Sequence, residues 1–485
     1  MRSPPVTWPW RSGAVLCAAA LVSACALKAP PTREELATTS MPNVRLPAQW
    51  TATGAEPGPA IDGWLAAFAD PQLDALVREA LAYNYDLQAA AARVEQAVAY
   101  QGIAGSALYP QVNVLGRKGG QMGGDGSGLQ GLGLLVNWEL DVWGRVRAGA
   151  AAADAQYASA ALDAQYARQS IAAQVAKSWF LATEARLQKE LADRTVADSQ
   201  RLSSLASDRL RVGIGDEYDM ALAQANLSTL KDAAQKMELA RQQALRALEV
   251  LLGRYPAAQA GVPSDLPRGP GPIPAGLPAA LLERRPDVVA AERRVAAAMY
   301  ATEQAKAARL PSIRLTGGVN TVSSELFVLK ERDNPVWSGG VTLLAPIFLG
   351  GQLQAQVELR TAEQKQALAN YGQIGARAFS DVENALSAVF ALDARDQILR
   401  QGVLENERAV ELATSRYKVG SSDMRALLQQ NLALYATQST LLQVRSDRLA
   451  QRVNLYLALG GSFDAQPAVA AALAATQPAT QPAAR

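Results

Sequence analysis

The chain states its plan twice. Asp86 and Arg93 return as Asp287 and Arg294, and Tyr109-Pro110-Gln111-Val112 returns as Leu310-Pro311-Ser312-Ile313, each 201 residues later. Arg209-Leu210-Arg211-Val212-Gly213 returns as Arg416-Tyr417-Lys418-Val419-Gly420, and Leu252-Gly253 as Leu459-Gly460, now 207 residues apart. A period this long is no short solenoid repeat. It marks one structural unit duplicated and fused, whose copies should take equivalent places in a symmetric object. The copies read as residues 71–253 and 278–460, joined by a Pro- and Gly-rich linker at 254–277.

Composition narrows what such a unit can be. The chain has 485 residues, enough for several cores, and 49% of them are apolar, but Ala dominates and only 6% are aromatic. Small side chains let helices approach closely and supply little of the bulky filling a compact core requires. A formal net charge of +2 leaves no basic surface to attract nucleic acid. The chain has no His, and its only cysteines are Cys17 and Cys25. A zinc site, a Ser-His-Asp triad, a Cys-His nucleophile and a disulfide within the mature chain are all excluded. No cofactor or metal is expected, and no phosphate-binding Gly-Lys-Ser/Thr loop is present.

Residues 1–24 read as a bacterial secretory signal, with Arg2 and Arg11 beside a short apolar run. That run is too short to cross a bilayer as a helix, which takes ~20 residues. Leu21-Val22-Ser23-Ala24-Cys25 fits a lipobox, in which Cys25 becomes the acylated N-terminus. The other reading is an ordinary cleavage near Ala24 with Cys25 incidental. By resemblance to bacterial lipoproteins, in which an Asp after the Cys usually retains the protein at the inner membrane, Ala26 implies an outer-membrane address. Residues 25–70 are then a lipidated, mostly irregular lead-in, and the Ala-, Pro- and Gln-rich tail 461–485 is expected to be disordered.

Within each copy, three patterns follow one another. Leu73, Leu76, Val77, Ala80 and Leu81 open a helical stretch from Pro71 to about Gly105. After Pro110, alternation with period two replaces it: Leu132, Leu134, Val136, Trp138 and Leu140 against Gly133, Leu135, Asn137 and Glu139. In copy two, Ile313, Leu315, Gly317 and Val319 alternate with Arg314, Thr316, Gly318 and Asn320, and Trp337 to Leu344 continue the pattern. Strands of about ten residues with one apolar face, joined by Gly-rich loops, suit a transmembrane β-barrel. The alternative is a half-buried soluble hairpin. Four strands are too few to enclose a water-filled lumen, so such a barrel would be shared between chains.

Stretches without Pro follow, from Gly144 to Arg209 and from Gly351 to Arg416. As helices they would reach ~100 Å at ~1.5 Å per residue. Each ends at a Gly, Gly213 or Gly420, followed by Asp216 or Asp423, chemistry that stops one helix and caps the next. A second helix returns to Leu252 or Leu459, giving two antiparallel hairpins.

Phe68-Ala69-Asp70-Pro71 with Leu73 and Leu76, Arg284-Arg285-Pro286-Asp287 with Glu292, Ala345-Pro346-Ile347-Phe348 with Gly350-Gly351, and Trp138 to Arg145 together resemble the TolC-type outer membrane factor family, in its NodT-like lipoprotein branch. The resemblance covers about Phe68 to Gly460. It implies a mixed α and β membrane protein: a homotrimer whose chains each give four strands to a twelve-stranded outer-membrane β-barrel continuous with a long periplasmic α-helical barrel. It also implies an exit duct of a tripartite efflux pump, passively conducting drugs or other small molecules from a periplasmic adaptor (membrane fusion protein) and an inner-membrane pump of the RND class. Catalysis is not implied.

In such a duct the polar strand positions Asn137, Glu139, Arg314, Thr316 and Asn320 would line the channel. By family position the hairpin tips form the periplasmic gate, with Asp216, Asp219, Arg416, Tyr417, Asp423 and Gln429 as its residues. The family often has an Asp where this chain has Gln429, which offers hydrogen bonds but no charge. Asp216 and Asp423 have a competing role as simple N-caps. Gly213 and Gly420 would contact the adaptor, although a left-handed turn alone would require them. Two other readings stand beside the duct: a structural coiled-coil envelope lipoprotein without transport activity, which leaves the amphipathic strands unexplained, and an envelope hydrolase with paired carboxylates, for which no pocket-forming context exists.

Overall fold

Long helices dominate the computed structural model, which describes residues 29–52, 58, 61–118, 130–323 and 336–464. The signal, Cys25, residues 465–485 of the tail and the hairpin loops at 119–129 and 324–335 lie outside these residues. Helix α1 (Arg33–Ser40) and a 3-10 turn at Trp64–Phe68 precede the first copy: α2 (Pro71–Tyr83), α3 (Tyr85–Ser106), β1 (Gln111–Lys118), β2 (Gln130–Leu140), α4 (Arg145–Arg211) and α5 (Glu217–Leu251). The second copy runs α6 (Pro278–Arg284), α7 (Pro286–Ala307), β3 (Ser312–Ser323), β4 (Val336–Leu344), α8 (Gln352–Lys418) and α9 (Met424–Ala458). Helices α4 and α8 each have 67 residues, and α5 and α9 each have 35, so the duplication extends to element length.

Within the mostly irregular lead-in, Thr32 and Glu35 form a capping box that starts α1, Thr32 Oγ1 accepting from the Glu35 amide and Glu35 Oε2 from the Thr32 amide. One expectation needs correction: no single helix runs from Pro71 to Gly105. The stretch breaks at Asn84, whose Oδ1 accepts from the amides of Asp86 and Leu87 while Nδ2 donates to the Leu251 carbonyl at 2.9 Å. A periodicity that continues through the break conceals it, because a single side-chain cap can restart a helix without disturbing the apolar pattern. Copy two breaks at the equivalent Arg285.

The chain divides into two units. The first holds described residues of Met1–Asn43, Ala92–Leu162 and Val289–Ile374. Its centre is an antiparallel sheet in the order β1-β2-β3-β4. Gln111 pairs with Asn137 in the first hairpin and Ser312 with Leu344 in the second. The shift from 201 to 207 therefore occurs inside the hairpins, which narrows the position of the extra residues. Arg33 pairs with Glu292 at 2.8 Å, tying α1 to α7.

The second unit holds described residues of Val44–Ala91, Asp163–Val288 and Gly375–Arg485. Aromatic rings fill part of its core: Trp64 stacks on Tyr456 with centroids 6.0 Å apart, and Phe68 meets Phe180 at 5.3 Å. Asp70 serves two elements, Oδ1 capping α2 through the amides of Gln72 and Leu73 while Oδ2 accepts from Trp179 Nε1 at 2.8 Å. Buried Arg285 forms a two-pronged pair with Asp287 and reaches Asp381 at 3.0 Å. The Phe-Ala-Asp-Pro and Arg-Arg-Pro-Asp motifs are thus structural joints, in which paired hydrogen bonds compensate the burial of charge.

Candidate functional site

The sheet in the first unit is two-faced. Cross-strand register brings Asn137 opposite Thr316 and Glu139 opposite Arg314, and Asn320 falls on the same face opposite Gly133. The five channel-lining candidates therefore share one face, as strictly alternating strands require. On the other face stand Val112, Val114, Leu132, Leu134, Trp337, Val341 and Leu343, all exposed in the single chain. An exposed apolar surface on a sheet of this length needs a covering, and hydrocarbon provides one.

Near the ends of the strands that lead to the helices, charge is organised rather than scattered. Glu139 accepts from Arg145 Nε and from Nη2 at 2.9 and 2.8 Å, and lies 3.9 Å from Arg314. Asp141 accepts from the amides of Val146 and Arg147, both at 2.8 Å, and from Arg147 Nε, so it starts α4. Trp138 and Trp143 donate from their ring nitrogens to the carbonyls of Leu108 and Pro311. Such rings, with the polar end satisfied and the body half-buried in Trp138 and exposed in Trp143, suit a membrane–water boundary.

The hairpin tips lie in the second unit. Helix α4 ends with Gly213 at φ +74° and α8 with Gly420 at φ +78°. The amides of Ile214 and Ser421 bond back to the carbonyls of Arg209 and Arg416, the paired closure that favours glycine at the left-handed position. Asp216 then accepts from the Tyr218 amide and Asp423 from the Ala426 amide, so both aspartates cap the helices that follow.

The two tips grip each other through three polar contacts over a small core. Tyr417, Met424, Leu427, Leu428, Ala206 and Ala223 are packed together. The Tyr417 hydroxyl donates to Asp219 Oδ2 at 3.3 Å, and Arg425 donates to the Tyr218 hydroxyl at 2.7 Å. The guanidinium of Arg209 lies 5.0 Å from the centre of the Tyr417 ring and donates to the carbonyls of Tyr417 and Lys418. Burial, and then the Asp219 charge, push the Tyr417 hydroxyl above its usual range, with Arg209 opposing.

Of the gate candidates, Asp219 and Tyr417 are brought together, whereas Arg416 and Gln429 are exposed, and the Arg416 carbonyl serves its own turn. The arginine at the junction is Arg209, the repeat equivalent of Arg416. Sequence reading passed over Arg209 and also the Tyr218–Arg425 pair. Offset 207 relates Arg209 to Arg416 and Tyr218 to Arg425, and that was the signal available.

Comparison with known proteins agrees with this geometry. The family model described as outer membrane efflux protein matches residues 76–254 and 277–461, one match per copy. The chain is 30% identical over 435 residues to the pyoverdine export outer membrane protein OpmQ of Pseudomonas aeruginosa, covering 86% of this chain and 91% of that one. It is 31% identical over 410 residues to the cation efflux system protein CusC of Escherichia coli O6:H1, covering 83% and 88%. The solved open state of the Neisseria gonorrhoeae MtrE outer membrane channel superposes with a TM-score of 0.76 at 30% identity, covering 91% of this chain and 99% of that one. The fold class is that of the trimeric TolC-type outer membrane channels, and the protein is an outer membrane efflux channel rather than an enzyme. By sequence and by fold, the chain belongs to the outer membrane efflux protein family.

Proposed function

We propose that three copies form the exit duct of a tripartite efflux pump, with a periplasmic adaptor and an inner-membrane pump of the RND class as partners. The observation that carries this reading is the two-faced sheet: among the described residues β1 and β4 each pair on one side only, and the apolar face is uncovered. Joining β4 of one copy to β1 of the next closes a barrel and removes both edges. The polar face, with Asn137, Glu139, Arg314, Thr316 and Asn320, then lines the lumen. Helices of 67 residues supply ~100 Å of wall.

In this reading the tips are the periplasmic entrance. Asp219 and Tyr417, with Arg209, hold it closed, and Asp216 and Asp423 cap its helices. Gln429 and Arg416 are exposed near the tips, in position to meet a neighbouring copy. Gly213 and Gly420, exposed at the turns, are the contact surface for the adaptor. Cys25 carries the lipid. Conduction is passive, and the energy comes from the inner-membrane partner.

Electron microscopy of the detergent-extracted particle tests the assembly. A threefold hollow particle is expected, and a solid rod or a compact globule would overturn the duct. Deleting the gene in its host should raise susceptibility to exported compounds, and finding Cys25→Ser still labelled by palmitate would remove the lipid assignment.

A further inference from the structure

The duplication does more than repeat elements: it contains a template for the contact between copies. The hairpin registers superpose the two repeats, Gln111 on Ser312 and Asn137 on Leu344. The pairing of β2 with β3 joins the end of the first repeat to the start of the second, with Asn137 opposite Thr316 and Leu140 opposite Ile313. The same junction, moved on by one repeat, joins β4 to the β1 of another copy. We propose that this pairing is antiparallel with Leu344 opposite Leu115 of the second copy. The proposal rests on the duct reading and adds the register to it.

Three independent observations fit. First, Leu344 and Leu115 stand on the same face of the sheet as Asn137 and Thr316, whereas a slip of one residue would place one of them among the apolar row. Second, Ile347 and Phe348, just beyond β4, are 96% and 86% exposed. In this register Ile347 takes the place that Leu140 holds beside Ile313, and meets Val112 of the second copy, itself exposed. Third, the helices show the same missing neighbour. In copy two, α7 lies against α4 so closely that a Cβ at Gly149 would fall 2.7 Å from Gln304 Nε2, and Thr302 bonds to the Arg360 carbonyl of α8. In copy one, α3 touches α4 through Gln101 and Asp154, but the equivalents of Gln304 and Gly149, Ile103 and Gln356, are both exposed. Met299 of α7 is 6% exposed and its equivalent Val98 in α3 is 47% exposed. The uncovered side of α3 in the second copy is where α8 of the first belongs, in line with the strand edge.

Cysteine pairing reads the register directly. The only native cysteines, Cys17 and Cys25, precede the sheet. Directly opposite Cβ atoms lie ~5 Å apart and diagonal ones ~7–8 Å, while a disulfide needs ~3.5–4.5 Å. Full-length Leu344→Cys/Leu115→Cys, oxidised in isolated outer membranes, should give covalent trimers on a non-reducing gel. Leu344→Cys/Asn113→Cys, which is diagonal, should give roughly tenfold less product. If the double variant fails to assemble, co-expressing Leu344→Cys with Leu115→Cys on separate chains should still give covalent dimers. A preference for the Asn113 pair, or no cross-link from either pair in a threefold particle, would overturn the register and leave the duct standing. A monomeric particle would overturn both.

Discussion

The Tyr417 hydroxyl donates to Asp219 Oδ2 across 3.3 Å, linking the start of α5 to the end of α8. The bond crosses between the two tips, so it ties one hairpin to the other rather than bracing either alone. Removing it with Asp219→Ala or Tyr417→Phe should weaken that link by about 1 kcal/mol, the net worth of an intramolecular hydrogen bond. The expected outcome is higher conductance in planar bilayers and greater permeability to bulky antibiotics. Unchanged values in both variants would count against a gating role. Because the hydroxyl holds its proton more tightly in the folded tip, the contact persists below about pH 10 and weakens as pH rises through the raised folded value. Conductance should therefore show no Tyr417-dependent step between pH 5 and 8.

Asp396 is nearly fully buried, and pairs with Arg400 at 2.8 Å, Arg448 at 3.3 Å and Arg445 at 3.4 Å. Asp396→Asn leaves three guanidiniums without their shared anion. Because the guanidiniums left behind reach solvent in part, the cost falls below the ~3–5 kcal/mol of a fully buried pair. A clear fall in melting temperature is expected, and a shift within error would show that the arginines find water or Asp393 instead.

Gly253 and Gly213 have the same left-handed φ, +74°, but different surroundings. A Cβ at Gly253 would lie 2.6 Å from the Tyr83 carbonyl oxygen, whereas Gly213 has nothing within 4 Å. Gly213→Ala should cost about 1–2 kcal/mol, from backbone conformation alone. Gly253→Ala should cost clearly more in thermal unfolding, because backbone must move. Loss of adaptor capture by Gly213→Ala in a protein that still folds and assembles would support its docking role.

Burial raises the Glu184 carboxyl above the ordinary carboxylate range, against hydrogen bonds from Gln188 and Ser446 that lower it. The folded state then holds the proton more tightly than the unfolded state. Stability from this group is complete below the unfolded value near pH 4.5 and is lost as pH rises through the folded value. Glu184→Gln should raise the melting temperature at pH 7 and flatten the pH dependence just above 4.5. A variant less stable than the parent at pH 7 would show that Glu184 is needed as a charge.

Glu139 offsets Arg145 and Arg314 on the polar face of the sheet. Glu139→Gln removes one negative charge per chain from a site with two guanidiniums. The reversal potential in a salt gradient should move toward anion preference. No movement would place Glu139 outside the conducting path.

The pattern of the sequence determined the architecture because its signals are local and repeated. Alternation from Leu132 to Leu140 and from Ile313 to Asn320 specified a two-faced strand, and long stretches without Pro specified α4 and α8. The double return of landmarks specified equivalent units. Tertiary structure decided what depends on side chains meeting from distant positions. It put Arg209 rather than Arg416 against Tyr417, because only a folded pair of hairpins brings residues 208 positions apart to one junction. It broke the first helix at Asn84, because that side chain has a carbonyl from Leu251 to bind. It also located the change of offset inside the hairpins, since strand register follows from hydrogen bonding between strands and not from the order of residues along one.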